Sequence, residues 1–226
     1  EWAFGYLLQN KFIEQRTTSD KCPKNLLIEN DSGRAEVLLK GSAMENLSLI
    51  LRNGDIIKEL RDEVDAYEYD LTIIGGSAKR SMSHDMIQYI NSSIFVVNNF
   101  NKTINYKILL AVDDSPGTKK AVKYGVRVAQ AFGIKVQIIT VNENNNSNKA
   151  NKKSSENASK MMRRCGVEAE TKFEIGKPAD KIIEIAGEDH IIIMGASTQS
   201  PIAKFFIGSK PLNVMQNSNC PILIVK

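Results

Sequence analysis

The chain has 226 residues, 42% of them apolar and 25% charged, which suits one large globular domain or two small ones with a solvated surface. Its net charge of +4 is the balance of 30 basic and 26 acidic residues interspersed along the chain, and only 7% of residues are aromatic. Neither a basic stripe nor a base-stacking platform is expected, and nucleic acid is excluded as a partner. No apolar run reaches the roughly 18 residues that a membrane span needs, so no membrane segment is expected. Cys22, Cys165 and Cys220 have no close spacing, which excludes a zinc motif or a disulfide framework and fits a reducing, cytoplasmic setting. His84 and His190 are isolated and are expected at the surface or at an edge, not as metal ligands.

In chain order, residues 2–15 carry a helix pattern with no strand before it, so an upstream strand is expected ahead of Glu1. Residues 32–54 read as a helix, then a strand, closing on Gly54; a helix opens at Ile56, and 71–75 and 94–97 are apolar strands. The second half alternates regularly. Residues 107–112 form a buried strand, and Asp113-Asp114-Ser115-Pro116 supplies a turn and a helix start. Ala121, Val122, Gly125, Val128, Ala129 and Phe132 then share one helical face, and Gly133 ends that helix. A strand at 136–141 is followed by an Asn/Lys-rich loop at 142–153, a helix at 154–164 and a strand at 171–175. Lys177-Pro178-Ala179-Asp180 opens a helix to Ala186, and a further helix opens at Ser209; strands at 191–194 and 222–225 complete the set. Five strands with helical crossovers imply a parallel, doubly wound α/β sheet.

The chain also repeats itself. Ser32 to Gly54 and Ser154 to Gly176 each span 22 positions; Leu71-Thr72-Ile73-Ile74-Gly75 echoes Ile191-Ile192-Ile193-Met194-Gly195, and Ile94-Phe95-Val96-Val97 echoes Ile222-Leu223-Ile224-Val225. The expectation is two copies of one five-stranded, mainly parallel sheet flanked by helices, at 1–102 and 103–226, the first incomplete at its start. The alternative is chance alternation within one α/β domain. The terminal strands of the two copies are apolar, and an unpaired apolar edge invites aggregation. They are therefore expected to pair with each other as a pseudo-twofold.

A strand end, a loop and a helix N-terminus near Gly195, Gly208 and Ser209 make a place to hold an anion, because backbone N–H groups converge there and the helix dipole favours negative charge. Glycine lets the backbone approach a phosphate closely. The bland alternative is that both glycines serve tight turns and that Ser209 only caps its helix.

With these residues in view, 107–226 resembles the universal stress protein family, whose fold is of the nucleotide-binding alpha hydrolase-like type. The resemblance is carried by Ile108-Leu109-Leu110-Ala111-Val112-Asp113-Asp114-Ser115, Ile192-Ile193-Met194-Gly195, Gly208-Ser209 and Asn219-Cys220-Pro221-Ile222-Leu223-Ile224-Val225. The family's signature is Gly, two residues, Gly, nine residues, Gly-Ser or Gly-Thr; here it reads Gly195, two residues, Thr198, nine residues, Gly208-Ser209. The resemblance implies that Asp113 and a backbone group at Val141 contact adenine, and that Gly195, Thr198, Gly208 and Ser209 surround ribose and phosphates, with the Lys210 N–H beside them. It implies ATP, or AMP or ADP, with or without magnesium. Gly75 to Ile94 is 19 positions against 27 from Gly195 to Ile222, so the first copy's cradle is eight residues shorter, and that copy is expected to be structural.

The implied function is a nucleotide-binding regulatory protein of the stress response, working with an unidentified protein partner. It would be an intrachain pseudo-dimer, free to pair further as a homodimer. The alternative is an interaction scaffold of the same fold with no nucleotide. No Ser/His/Asp set, metal cluster or phosphate-binding Gly-rich Lys-Ser/Thr loop is present, so at most weak ATP hydrolysis is expected. A phosphoacceptor receiver would need an Asp after the third strand, where this chain has Gly176, with Glu174 inside the strand.

Overall fold

Runs of Ile, Leu and Val with no polar alternation belong in strands covered on both faces, and four such runs sit at the centre of this protein's main sheet. The computed structural model describes residues 27–29, 35–38, 48–51, 54–75, 88–98, 105–144, 149–196 and 209–226. The backbone divides into two units, 1–59 and 60–226.

The first unit contains an antiparallel meander of β1 (Leu27–Glu29), β2 (Ala35–Leu38) and β3 (Ser48–Leu51). Leu27 pairs with Val37, and Ala35 pairs with Leu51. This corrects one expectation: the helix expected ahead of the strand in 32–54 is replaced at Ala35–Leu38 by a strand. Pairing with a neighbour on each side satisfies its backbone, and such tertiary pairing overrides a weak local helix pattern. The helix pattern at 2–15 lies outside the described residues. Helix α1 (Ile56–Tyr67) begins in the first unit and ends in the second, where its Glu63 and Val64 are buried.

The second unit is built on a seven-stranded sheet. Its strands are β4 (Leu71–Gly75), β5 (Ser93–Val97), β6 (Lys107–Ala111), β7 (Val136–Asn142), β8 (Ala169–Ile175), β9 (His190–Gly195) and β10 (Ile222–Val225), in the spatial order β4-β5-β10-β9-β6-β7-β8. Every neighbouring pair is parallel except β5 with β10, which run antiparallel with Ile222 opposite Val96, Leu223 opposite Phe95 and Ile224 opposite Ile94. The two terminal strands thus pair as expected, and Ile94, Val96, Ile222 and Ile224 are buried.

Four helices cross between these strands: α2 (Pro116–Phe132), α3 (Lys149–Arg164), α4 (Pro178–Ala186) and α5 (Ser209–Asn217). Side chains alternate across a strand, so Ile108 and Leu110 face one side and Leu109 the other. On the first side they join Ile138, Ile193 and Leu223 in a core closed by Ala121, Val122, Val126 and Ala129 of α2 and by Ala158 and Met162 of α3. Helices α4 and α5 pack on each other and bury Ala179, Ile182, Val214 and Met215. Helix α2 ends where expected, with Gly133 at φ 65° returning its N–H to Ala129. Helix α3 starts earlier than the expected residue 154, taking its first residues from the expected loop. His190, expected at the surface or at an edge, is the first residue of β9 and is 6% exposed; its Nδ1 lies 2.9 Å from the Ala186 carbonyl, so a backbone partner offsets its burial.

Candidate functional site

In an open α/β sheet, ligands bind beyond the carboxyl ends of the strands where the strand order reverses. Here that point lies between β6 and β9: from β6 the chain crosses to β7 on one side, and β9 later takes the other side. A cleft of about 350 Å³ opens there, lined by residues of the β6, β7 and β9 ends and of α3, α4 and α5. Asp113, Val141, Gly195 and Lys210 all line it. Thr198 and Gly208 lie outside the described residues. Ser209 is the first residue of α5.

Asp113 is held by its own loop. Its Oδ1 accepts the Ser115 N–H at 3.0 Å, the Ser115 hydroxyl at 2.5 Å and the Thr118 hydroxyl at 2.7 Å. A carboxylate bonding two residues onward makes an Asx turn, and with Pro116 pre-setting the first helical φ it fixes the start of α2. Oδ1 is saturated, and among the described residues no hydrogen bond reaches Oδ2.

Val141 contributes backbone. Its second-nearest neighbour in the strand, Ile139, accepts the Val112 N–H at 2.9 Å. Backbone groups repeat their direction every two residues along a strand, so the N–H and C=O of Val141 point the same way, where β6 has already ended at Ala111. Both groups therefore face the cleft. Below them the Thr140 hydroxyl donates to the Val112 carbonyl at 3.1 Å, closing the floor.

Gly195 has a packing reason that sequence spacing did not suggest. It is neither in a left-handed conformation nor in a turn; it ends β9. A Cβ at Gly195 would lie 2.4 Å from the carbonyl carbon of Gly117, and a Cβ at Gly117 would lie 2.4 Å from the Ala196 oxygen. The first turn of α2 thus rests directly on the end of β9, which brings the Asp113 loop against Gly195.

Two more residues complete the arrangement and were not singled out by their sequence. Asn151, 8% exposed, accepts the Asp114 N–H on its Oδ1 at 3.0 Å and donates from Nδ2 to Asn142 Oδ1 at 2.9 Å. Thr118 is buried beneath Asp113. The buried stripe of α3 runs Asn151, Ser155, Ala158, Met162: polar at the cleft and apolar in the core. The Thr three positions into the helix after Asp-x-Ser-Pro is a recognisable capping signal; nothing local marks Asn151.

Among the described lining residues, three carboxylates, Asp113, Asp114 and Glu143, stand against one cation, Lys210. No group of three or more His, Cys, Asp or Glu among the described residues is placed to hold a metal ion. A larger groove of about 1480 Å³ lies elsewhere, lined by the strand starts at Lys107, Val136 and Ala169 and by the apolar Leu71, Ile73 and Phe95. It gathers none of the signature residues and is not where strand order selects a ligand site. No helix among the described residues is long and apolar enough to cross a membrane.

Comparison with known proteins gives a consistent result. The sequence profile of the Universal stress protein family matches residues 105–226. A universal stress protein of Methanocaldococcus jannaschii is 25% identical over 138 residues, covering 53% of this chain and 81% of that one. The crystal structure of a universal stress protein from Archaeoglobus fulgidus has the same fold, with a TM-score of 0.60 at 19% identity over 78% of this chain and 67% of that one. A universal stress protein solved in complex with cAMP is 26% identical over 54% of this chain and 97% of its own, with a TM-score of 0.46; the ligand is that protein's.

Proposed function

Because the chain belongs to the universal stress protein family, we propose that residues 103–226 form a stress-regulatory module that binds ATP or another adenine nucleotide in the cleft beyond β6, β7 and β9. The observation that carries this is convergence: Asp113, Val141, Gly195 and Lys210, far apart in sequence, line one opening. Adenine presents an exocyclic donor beside a ring acceptor. The Val141 N–H can donate to the ring nitrogen, and Asp113 Oδ2 or the Val141 carbonyl can accept from the amine. The N-terminus of α5, through Ser209 and Lys210, supplies N–H groups to the phosphates; Thr198 and Gly208 keep the ribose and phosphate roles that the family signature implies. Magnesium, where present, arrives with the nucleotide and offsets the carboxylates of the cleft. The module acts in the cytoplasm by binding, with no catalytic base assigned.

We further propose that residues 1–102 are a degenerate copy of the same fold without a nucleotide site. Two registers support this. Gly75 pairs with Val97 as Gly195 pairs with Val225, the positions that echo each other in sequence. Across β5 and β10, the central partners Phe95 and Leu223 are themselves equivalent, flanked by Ile94–Ile224 and Val96–Ile222. Such a self-complementary register is what a twofold produces, and it supports reading the chain as an intrachain pseudo-dimer.

The second reading, an interaction scaffold with no nucleotide, is favoured by the acidic excess in the cleft. Calorimetric titration with ATP in the presence of magnesium separates the two. One saturable site per chain is expected, and the absence of heat at millimolar ATP overturns the nucleotide reading in favour of the scaffold.

A further inference from the structure

We infer, resting on the nucleotide reading above, that Asn151 is a positioning residue that sets the width of the base slot. Its amide spans two segments that the sheet does not tie together at this point: the loop after β6, through the Asp114 N–H at 3.0 Å, and the end of β7, through Asn142 Oδ1 at 2.9 Å. Each anchor is the immediate neighbour of a residue assigned to the base: Asp114 follows Asp113, and Asn142 follows Val141. The ladder between β6 and β7 stops at Ala111 with Ile139, and Val112 is still tied to β7 by its N–H on the Ile139 carbonyl and by the Thr140 hydroxyl on its own carbonyl; from Asp113 onward the separation from β7 is set by the loop's own turn and by this side chain. Asn151 is held in turn by α3, whose Ala158 and Met162 are locked in the core.

The chemistry is specific to an amide. The Asp114 side needs an acceptor and the Asn142 side, as oriented here, needs a donor; Asn supplies both at once. Its stem is buried but its partners are not. Asp114 is exposed, so water replaces the lost bonds when the amide is removed. The expected consequence is a loosened slot within a folded protein.

The test uses the whole chain, with ATP, GTP and ribose 5-phosphate as probes. Asn151→Leu, near-isosteric and unable to bond either side, is expected to weaken ATP about tenfold, equivalent to about 1.4 kcal/mol. The ATP-over-GTP preference should narrow, while the base-free ribose 5-phosphate binds as to wild type. Asn151→Asp keeps the acceptor for Asp114, and the Asn142 amide can turn to donate to it, so ATP affinity should recover to near wild type. Asn142→Ala cuts the bridge from the strand side and should reproduce the ATP loss, which keeps the test decisive if Asn151→Leu does not fold. Wild-type affinity and base preference in Asn151→Leu and Asn142→Ala, or equal impairment of Asn151→Asp and Asn151→Leu, overturn the inference alone. Failure of the wild type itself to take up nucleotide overturns the reading of the site and the inference with it.

Discussion

Gly117 and Gly195 touch backbone to backbone: a Cβ added to Gly195 would lie 2.4 Å from the Gly117 carbonyl carbon and 2.6 Å from its oxygen. Neither neighbour is a flexible side-chain end that could swing away. Gly195→Ala must therefore lift α2 off β9, an overpacking cost of about 1–3 kcal/mol. Gly117→Ala forces the same separation from the other side, so the double variant should be less destabilised than the sum of the singles. Urea unfolding of the four proteins measures this. Additive losses would mean that the two glycines answer to different constraints.

Asp113 has two roles that separate experimentally. Its Oδ1 organises the start of α2 through Ser115 and Thr118, and Oδ2 is proposed to meet the base. Asp113→Ala should lower stability by about 0.5–2 kcal/mol, as for loss of a helix cap. It should also weaken ATP by about ten- to a hundredfold, the effect of one hydrogen bond to a charged group. Asp113→Asn keeps an acceptor for the loop and should retain most of the stability. Thermal melting paired with ATP titration reads both effects.

Ser155 is fully buried, and its hydroxyl has no hydrogen-bond partner among the described residues. Desolvating an unpaired hydroxyl costs about 1–3 kcal/mol, and Ala is the better helix former. Ser155→Ala is expected to be more stable than wild type by about 1 kcal/mol or more in denaturant unfolding. Destabilisation would show that the hydroxyl is satisfied in solution.

Burial pushes the Lys226 ammonium down from 10.5 to about 8, while its Nζ donates to the Ile90 carbonyl. Between pH 8 and 10.5 the unfolded chain holds a proton that the folded chain has lost. Stability contributed by this site therefore rises with pH through that window and is flat below it. In urea unfolding from pH 7 to 11, the wild type should gain on Lys226→Met between about pH 8 and 10.5. A constant difference would remove Lys226 as the titrating group.

Much of the second half could be read from the chain itself, because its apolar runs, Gly133 and the Pro-led helix starts carry local signals. The family resemblance that these segments carry implied Asp113, Val141, Gly195 and Lys210 as site residues, and the four line one cleft. What escaped is non-local. The start of α3 is Asn/Lys-rich and reads as a loop; it becomes helix where Asn151 bonds Asp114, 37 residues away. Gly195 suggested a phosphate or a turn, since nothing in its neighbourhood announces contact with Gly117. In the first half, Ala35–Leu38 is a strand because β1 and β3 flank it, and a single-segment pattern does not contain those partners.

The central claim is that adenine nucleotide enters the cleft of residues 103–226, and residue-by-residue amide NMR during an ATP titration tests it most directly. The account predicts saturable shifts concentrated at Asp113, Asp114, Ser115, Val141, Asn142, Gly195 and Lys210, with Leu71, Ile73 and Phe95 unmoved. No shifts at saturating ATP, or shifts gathered along the Leu71–Ile73–Phe95 groove instead, would contradict it.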